Sequence, residues 1–431
     1  MLVVLLTIDC GRADHLDGRS GLTPNLDSLR AEGASFTQAF SQSQNTLSSH
    51  VSLLTSNYLF QHGIYSNFER CELPGHSLSR LLVERGFRTQ ALMGVNFLAS
   101  ILGDQIGPVD ERYSHSKQGL VERLLSRFGS RTLRRPFDDT VSCALRWLDS
   151  EPGPDRFLML HAFDAHMVYE APPALLGEHV KNGRSRTSCQ AQLEELGWSH
   201  APFRELKRRV PVEHFPARYR AAIQHIDSCL GTLVQGLRER GLWEDTMLVL
   251  TADHGECLAG EHGLYCMHKK LFDETVHVPL WIRFPGGAHS GVTVDSLVEL
   301  VDVAPTIARV AGFEEPLFMG RDLGGIAAGT APGRDVVFSE HVDNLLRSVR
   351  DREHIWVEKV PSGENRYGFE LETEELFRRD GTPATEGTSR EHLEAAARQL
   401  MNSRPEVSQA WLGHGAVDDR IASQLQRLGY L

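Results

Sequence analysis

The chain has 431 residues, 41% hydrophobic and 24% charged, a globular composition long enough to bury a sizeable core. A formal net charge of -12 argues against a nucleic-acid binder, which needs a basic face, but leaves room for a small anionic substrate held by a local cation. Seven scattered cysteines, an odd number, do not form a disulfide framework, and the expected location is cytoplasmic.

The chain opens on Leu2–Ile8, too short to span a membrane and lacking the basic flank and cleavage site of a secretory leader. It reads as a buried first strand ending at Asp9, and no later stretch is long and apolar enough for a membrane span. Thr23-Pro24-Asn25-Leu26-Asp27 opens a helix with Leu26, Leu29 and Arg30 at helical spacing and Gly33 as its stop. Asn45-Thr46-Leu47-Ser48-Ser49-His50 leads into the helix-like VSLLTS. Arg156–Ala162 is a second apolar run, ending near Asp164 and His166. Residues 180–215 are polar and irregular, and read either as a lid over the strand ends or as a plain surface loop. Residues 219–240 form a helix with Ala222, Ile223, Ile226, Leu230, Leu233 and Leu237 on one face and Gly241 as its end. Residues 246–251 run into Asp253-His254, and 278–284 run into Pro285-Gly286-Gly287.

Short apolar runs between helices are strands buried on both faces, as in a parallel sheet. They predict an α/β fold: a large doubly wound, mostly parallel sheet with helices on both faces. From Asp335 the pattern changes. Residues 336–338, 346–349, 354–360 and 367–371 are short strand-like pieces, followed by a helix over 389–403. They predict a smaller C-terminal antiparallel sheet packed with a helix, and so a catalytic domain over 1–334 and a subdomain over 335–431.

The chemistry-bearing residues sit at the ends of these runs, where open α/β sheets bind ligands. Free N–H groups at a helix start favour an anion, and the hydroxyls of Thr46, Ser48 and Ser49 are all candidates to face one; a plain N-cap uses the same residues. Asp253 and His254 together offer a hard carboxylate and an imidazole to a divalent cation, with Gly255 allowing a tight turn; a strand-to-loop junction with a capping aspartate has the same sequence. His166 and His268 are placed either to donate to a substrate oxygen or to be hydrogen-bonded in place, with Lys269 or Lys270 adding positive charge.

These pieces, in this order, resemble the sulfatase branch of the alkaline phosphatase superfamily. The resemblance runs through TIDCGRADHL, TPNLDSLRAEGASFTQAFSQS, NTLSSHVSLLTSNYLFQHGIYSN, FDAHMVYEAPP and YRAAIQHIDSCLGTLVQGLRERGLWEDTMLVLTADHGE. It continues through EHGLYCMHKKLFDETVHVPLWIRFPG, VDVAPTIARVAGF and EELFRRDGTP. It implies Asp9, Asp253 and His254 as metal ligands, with Thr46 at the nucleophile position and as the fourth ligand. Thr46, His50, His166 and His268 would form the catalytic set, and His166, His268 and Lys269 would contact substrate.

Three departures shape the expectation. Sulfatases carry a Cys or Ser that becomes formylglycine, within C/S-x-P-S-R, whereas this chain has Thr46-Leu47-Ser48-Ser49-His50, so the threonine would act directly. Cys10 stands where many sulfatases have a second consecutive aspartate, and His268 stands where they often have a lysine. A mixed oxygen and nitrogen site suits manganese or zinc, with calcium or magnesium as alternatives. The implied activity is hydrolysis of a small anionic ester, phosphate or phosphonate ahead of sulfate. The alternatives are transfer of a phosphoryl group to an acceptor alcohol and a catalytically inactive binding protein that keeps the fold.

Overall fold

The computed structural model describes residues 1–107, 134–167, 169–179, 214–258, 260–261, 271–341, 346–359, 374–384, 388–402, 417, 421–422 and 425. Seven strands form one sheet: β1 (Leu2–Ile8), β2 (Ala34–Phe40), β3 (Arg88–Leu92), β4 (Arg156–Ala162), β5 (Thr246–Ala252), β6 (His277–Arg283) and β7 (Thr293–Glu299). Their order is β3-β4-β1-β5-β6-β2-β7. All seven residues of β1, β4 and β5 are buried, which explains their largely apolar runs: neither face meets water.

β1 pairs in parallel with β4 and β5, β3 with β4, and β2 with β7. β6 departs from the parallel pattern, running antiparallel to both β5 and β2. Among the described residues no crossover helix joins β5 to β6; the chain returns through the single turn Asp273–Val276 straight into β6. The helices pack in two groups, as a doubly wound fold requires. The long helix Phe215–Glu239 packs on Phe137–Ser150, Pro173–His179 and Pro24–Leu29. The helix Thr46–Thr55 packs with Leu78–Glu84 and Val303–Val310. Asp227 on the long helix accepts from the backbone N–H groups of Asn25 and Leu26 at 3.0 and 2.8 Å, capping the Pro24–Leu29 helix from a distance.

A second sheet contains β8 (Val337–His341), β9 (Leu346–Arg350), β10 (His354–Lys359) and β11 (Glu374–Arg378), all antiparallel, in the order β11-β10-β9-β8. The strand expected over 367–371 lies outside the described residues, and β11 follows it. Alternation sorts the two faces of this sheet. Phe338, Val349, Trp356 and Leu376 pack on Leu393 and Ala397 of the helix Thr388–Asn402. Val337, Leu346, Ile355 and Val357 pack on Phe40, Phe272, Val276 and Leu297 of the larger body.

Candidate active site

The C-terminal ends of β1, β4 and β5 meet at one edge of the large sheet. Register places Thr7 beside His161 on β4 and Thr251 on β5. Side chains alternate along a strand, so these three form one rung on one face. Asp9 and Asp253 stand two positions further along, and His161 Nε2 lies 3.3 Å from Asp9 Oδ2. All of these residues are fully buried.

His254 follows at the same edge. Its Nδ1 lies 2.9 Å from the Gly255 carbonyl, an arrangement in which Nδ1–H donates and Nε2 keeps its lone pair. That Nε2 lies 3.6 Å from Asp253 Oδ2, 3.9 Å from Asp9 Oδ1 and 3.4 Å from Thr46 Oγ1. Thr46 Oγ1 in turn donates to Asp9 Oδ2 at 3.3 Å. Gly255 is needed here for close approach rather than for the expected tight turn: a Cβ on it would lie 2.2 Å from the Glu274 carbonyl.

The electrostatics ask for a cation. Burial pushes the Asp9 carboxyl up, but the imidazoles of His166, His161 and His254 outweigh it and hold Asp9 below the usual carboxylate range. Burial and the Asp9 charge push Asp253 up to about 7. Among the described residues no Lys or Arg pairs with either carboxylate, and Asp253 Oδ2 accepts no hydrogen bond. Ligand atoms about 2.0–2.2 Å from a tetrahedral ion stand roughly 3.4 Å apart, close to the separations of His254 Nε2 from Asp9, Asp253 and Thr46 and of Thr46 from Asp9. The residues present therefore fit a divalent metal. Donor atoms of Asp9, Cys10 and His254 fall within 4.8 Å of one another, as do those of His50, His161 and Asp253.

Thr46 is the first residue of the helix Thr46–Thr55, every residue of which is buried. The three hydroxyls of this segment separate in the fold. Thr46 joins the donor set, and Ser49 Oγ donates to the Asp253 carbonyl at 2.6 Å. Ser48 Oγ has no hydrogen-bond partner among the described residues. His50 lies one turn beyond Thr46, but its Nδ1 meets the Thr46 carbonyl at 2.7 Å and its Nε2 meets Thr7 Oγ1 at 3.0 Å. With both nitrogens engaged, and its pKa lowered to about 3 by burial and by His161, His50 is a neutral group bonded behind Thr46.

His166 approaches from the loop after β4. Its Nδ1 and Arg134 Nη2 both reach the Met167 carbonyl, at 2.9 and 2.8 Å. The His166 ring stacks on Phe163 at 4.5 Å, and the Arg134 guanidinium lies 5.0 Å from the centroid of that same Phe163 ring. Burial, aided by Arg134, lowers the His166 pKa to about 4. His268, Lys269 and Lys270 lie outside the described residues, as does most of the expected lid over 180–215.

The structure also gathers residues that sequence patterning passes over. His161 sits inside an apolar run, and only its register with Thr7 marks it. Arg134 is held near β3 by a bridge between Val95 and its own backbone. Tyr219 on the long helix donates to the Cys10 carbonyl at 2.7 Å and accepts from the Arg12 N–H at 2.9 Å, bracing the loop after β1. Glu256, pushed up to about 8 by burial, accepts from the Tyr169 hydroxyl at 2.6 Å.

Residues 2–313 match the family model described as Sulfatase. Arylsulfatase K of Rattus norvegicus is 21% identical over 342 residues, 71% of this chain and 59% of that protein. The multifunctional alkaline phosphatase superfamily protein PehA of Trinickia caryophylli is 36% identical over 106 residues, 24% of this chain and 20% of that protein. The chain thus spans less than two thirds of the length of these relatives. The phosphonate monoester hydrolase of Agrobacterium radiobacter superposes with a TM-score of 0.69 at 18% identity, over 96% of this chain and 99% of that one, a likeness of fold. The chain belongs to the sulfatase family of the alkaline phosphatase superfamily.

Proposed function

We propose that this protein is a metal-dependent hydrolase of small anionic esters in which Thr46 is the direct nucleophile, with phosphate or phosphonate esters preferred to sulfate esters. The carrying observation is the place of Thr46 Oγ1: at a helix start, 3.3 Å from Asp9 Oδ2 and 3.4 Å from His254 Nε2, it closes the donor set formed with Asp253. Asp9, Asp253, His254 and Thr46 would hold the ion, and manganese or zinc suits these donors better than calcium or magnesium. A divalent cation there supplies Lewis-acid chemistry, acidifying the threonine hydroxyl and drawing charge from a substrate oxygen.

The chain's own residues do the rest. Thr46 Oγ1 gives its hydroxyl proton to solvent and attacks phosphorus as the bond to the leaving oxygen breaks, giving a threonyl ester that water then hydrolyses. His166, neutral at rest, gains basicity beside an incoming anion, takes up a proton from solvent and gives it to the leaving oxygen. Arg134 is a fixed cation at the same edge that favours substrate negative charge. His50 and Thr7 hold the turn that presents Thr46. Phosphorus esters are favoured because a threonyl sulfate lacks the elimination by which formylglycine expels sulfate. The relatives include both an arylsulfatase and a phosphonate monoester hydrolase, so both substrate classes belong in the test.

The test is a paired assay of a phenylphosphonate ester, bis(p-nitrophenyl) phosphate and p-nitrophenyl sulfate, with manganese and with zinc, on wild type and Thr46→Ala. The phosphorus esters should be turned over, and Thr46→Ala should lower kcat/KM by about a thousandfold or more. Equal rates for the two proteins would remove Thr46 as nucleophile. Faster cleavage of the sulfate than of every phosphorus ester would reverse the substrate class.

A further inference from the structure

Cys10 is fully buried, and its backbone lies in the left-handed region, φ 58°, which a residue with a Cβ seldom adopts. Three hydrogen bonds keep it there. Cys10 N donates to Asp253 Oδ1 at 3.3 Å, Tyr219 donates to the Cys10 carbonyl at 2.7 Å, and Gly11 N donates to the Ile8 carbonyl at 3.2 Å. This turn directs Sγ to Asp9 Oδ1 at 3.3 Å, with the His254 ring beside it, its carbonyl-bonded Nδ1 3.8 Å away. One donor each from Asp9, Cys10 and His254 lies within 4.8 Å of the others. A tetrahedral ion with sulfur at about 2.3 Å and oxygen or nitrogen at about 2.0 Å places those donors roughly 3.5 Å apart.

An independent feature points to a ligand at the same place. Asp253 Oδ2 is buried without a hydrogen bond among the described residues, and it lies 3.6 Å from His254 Nε2. Both ring nitrogens of fully buried His161 likewise lack a hydrogen-bond partner among the described residues, with Nε2 3.3 Å from Asp9 Oδ2.

We propose that Cys10 is a metal ligand and that its sulfur makes this centre selective for a thiophilic ion of the zinc class over calcium and magnesium. The inference rests on the reading of Asp9, Asp253 and His254 as metal ligands. On binding, a metal–sulfur bond forms as the S–H bond breaks, and the proton goes to solvent. A soft sulfur donor strengthens binding of zinc and cobalt far more than of hard, oxygen-seeking cations.

The test uses the full chain, stripped of metal and titrated with cobalt(II) as a spectroscopic stand-in for zinc. Wild type should develop visible d–d bands together with intense near-ultraviolet sulfur-to-cobalt absorption, both saturating at one equivalent. Cys10→Ser, with Cys10→Ala as a second variant should the first misfold, should keep the visible bands and lose the near-ultraviolet absorption. Both variants should bind zinc at least about tenfold to a hundredfold more weakly, the range for losing even an outer-shell partner. Visible bands without sulfur-to-cobalt absorption in wild type, or absorption that survives in both variants, overturn the Cys10 assignment and leave the metal site standing. Failure to bind cobalt or zinc at all overturns both.

Discussion

Tyr219→Phe isolates one hydroxyl that the loop after β1 depends on. Tyr219 belongs to the helix Phe215–Glu239 and lies 209 positions from Cys10, whose carbonyl it donates to at 2.7 Å. The same oxygen accepts from the Arg12 N–H at 2.9 Å. Phenylalanine keeps the edge-on contacts of the ring with Tyr169 and His15, at 5.6 and 5.0 Å, and removes only the oxygen. It leaves a buried carbonyl at Cys10 and a buried N–H at Arg12 without this partner. Each orphaned group costs about 1–3 kcal/mol, so the substitution should destabilise the fold by about 2–6 kcal/mol. That is a large share of a typical total of about 5–15 kcal/mol. Cys10 also loses one of the bonds that hold its left-handed turn, so zinc affinity should fall by about tenfold to a hundredfold, as for loss of an outer-shell partner. Urea unfolding of the metal-free protein measures the first effect, and zinc competition against a chelator dye under native conditions measures the second. Destabilisation below about 0.5 kcal/mol with unchanged zinc affinity would refute the bracing role, because an exposed hydroxyl would give that result.

Two further outcomes follow from buried carboxylates. Asp253→Asn should stabilise the metal-free protein, because Asn Oδ1 still accepts from Cys10 and His254 while the repulsion by Asp9 disappears. The same variant should lose most of the thermal stabilisation by metal, which in wild type should reach about 2.7 kcal/mol at a metal concentration a hundred times Kd. Identical thermal shifts for the two proteins would exclude Asp253 from the site. Glu340 gives a pH dependence remote from the metal. It is buried between the Phe60 N–H at 3.0 Å and Arg347 at 3.6 Å, and burial pushes its carboxyl up from 4.5 to about 7. Between those values the folded protein keeps a proton that the unfolded chain has lost. Stability should therefore fall as pH rises from 4.5 to about 7 and level off above, by up to about 3 kcal/mol. Urea midpoints across this range should show the fall in wild type and lose this component in Glu340→Gln; parallel profiles would contradict the assignment.

Asp9 and Asp253-His254 are legible in the sequence because each ends an apolar run, and a run that stops on an acid advertises a strand end. β6 shows the limit of that signal: hydrophobicity carries no direction, so a strand reversed between two neighbours reads like a parallel one. Gly255 shows another, since a glycine demanded by the Glu274 carbonyl cannot be told in sequence from one demanded by a turn. Arg134 and Tyr219 escape because their partners are 33 and 209 positions away, beyond any local pattern.

His161 and Thr7 were hidden for a different reason. Each lies within a segment buried along its whole length, where strand or helix periodicity has no polar side to contrast with the apolar one. Yet a polar side chain in such a segment has no water to turn to and must find protein or a bound ion. Thr7 finds His50, Ser49 finds the Asp253 carbonyl, and His161 comes to rest 3.3 Å from Asp9. Polar residues inside otherwise fully apolar runs are therefore the signal that would have disclosed the second layer of this site, because the same burial that erases periodicity forces them together behind the edge that carries Asp9 and Asp253.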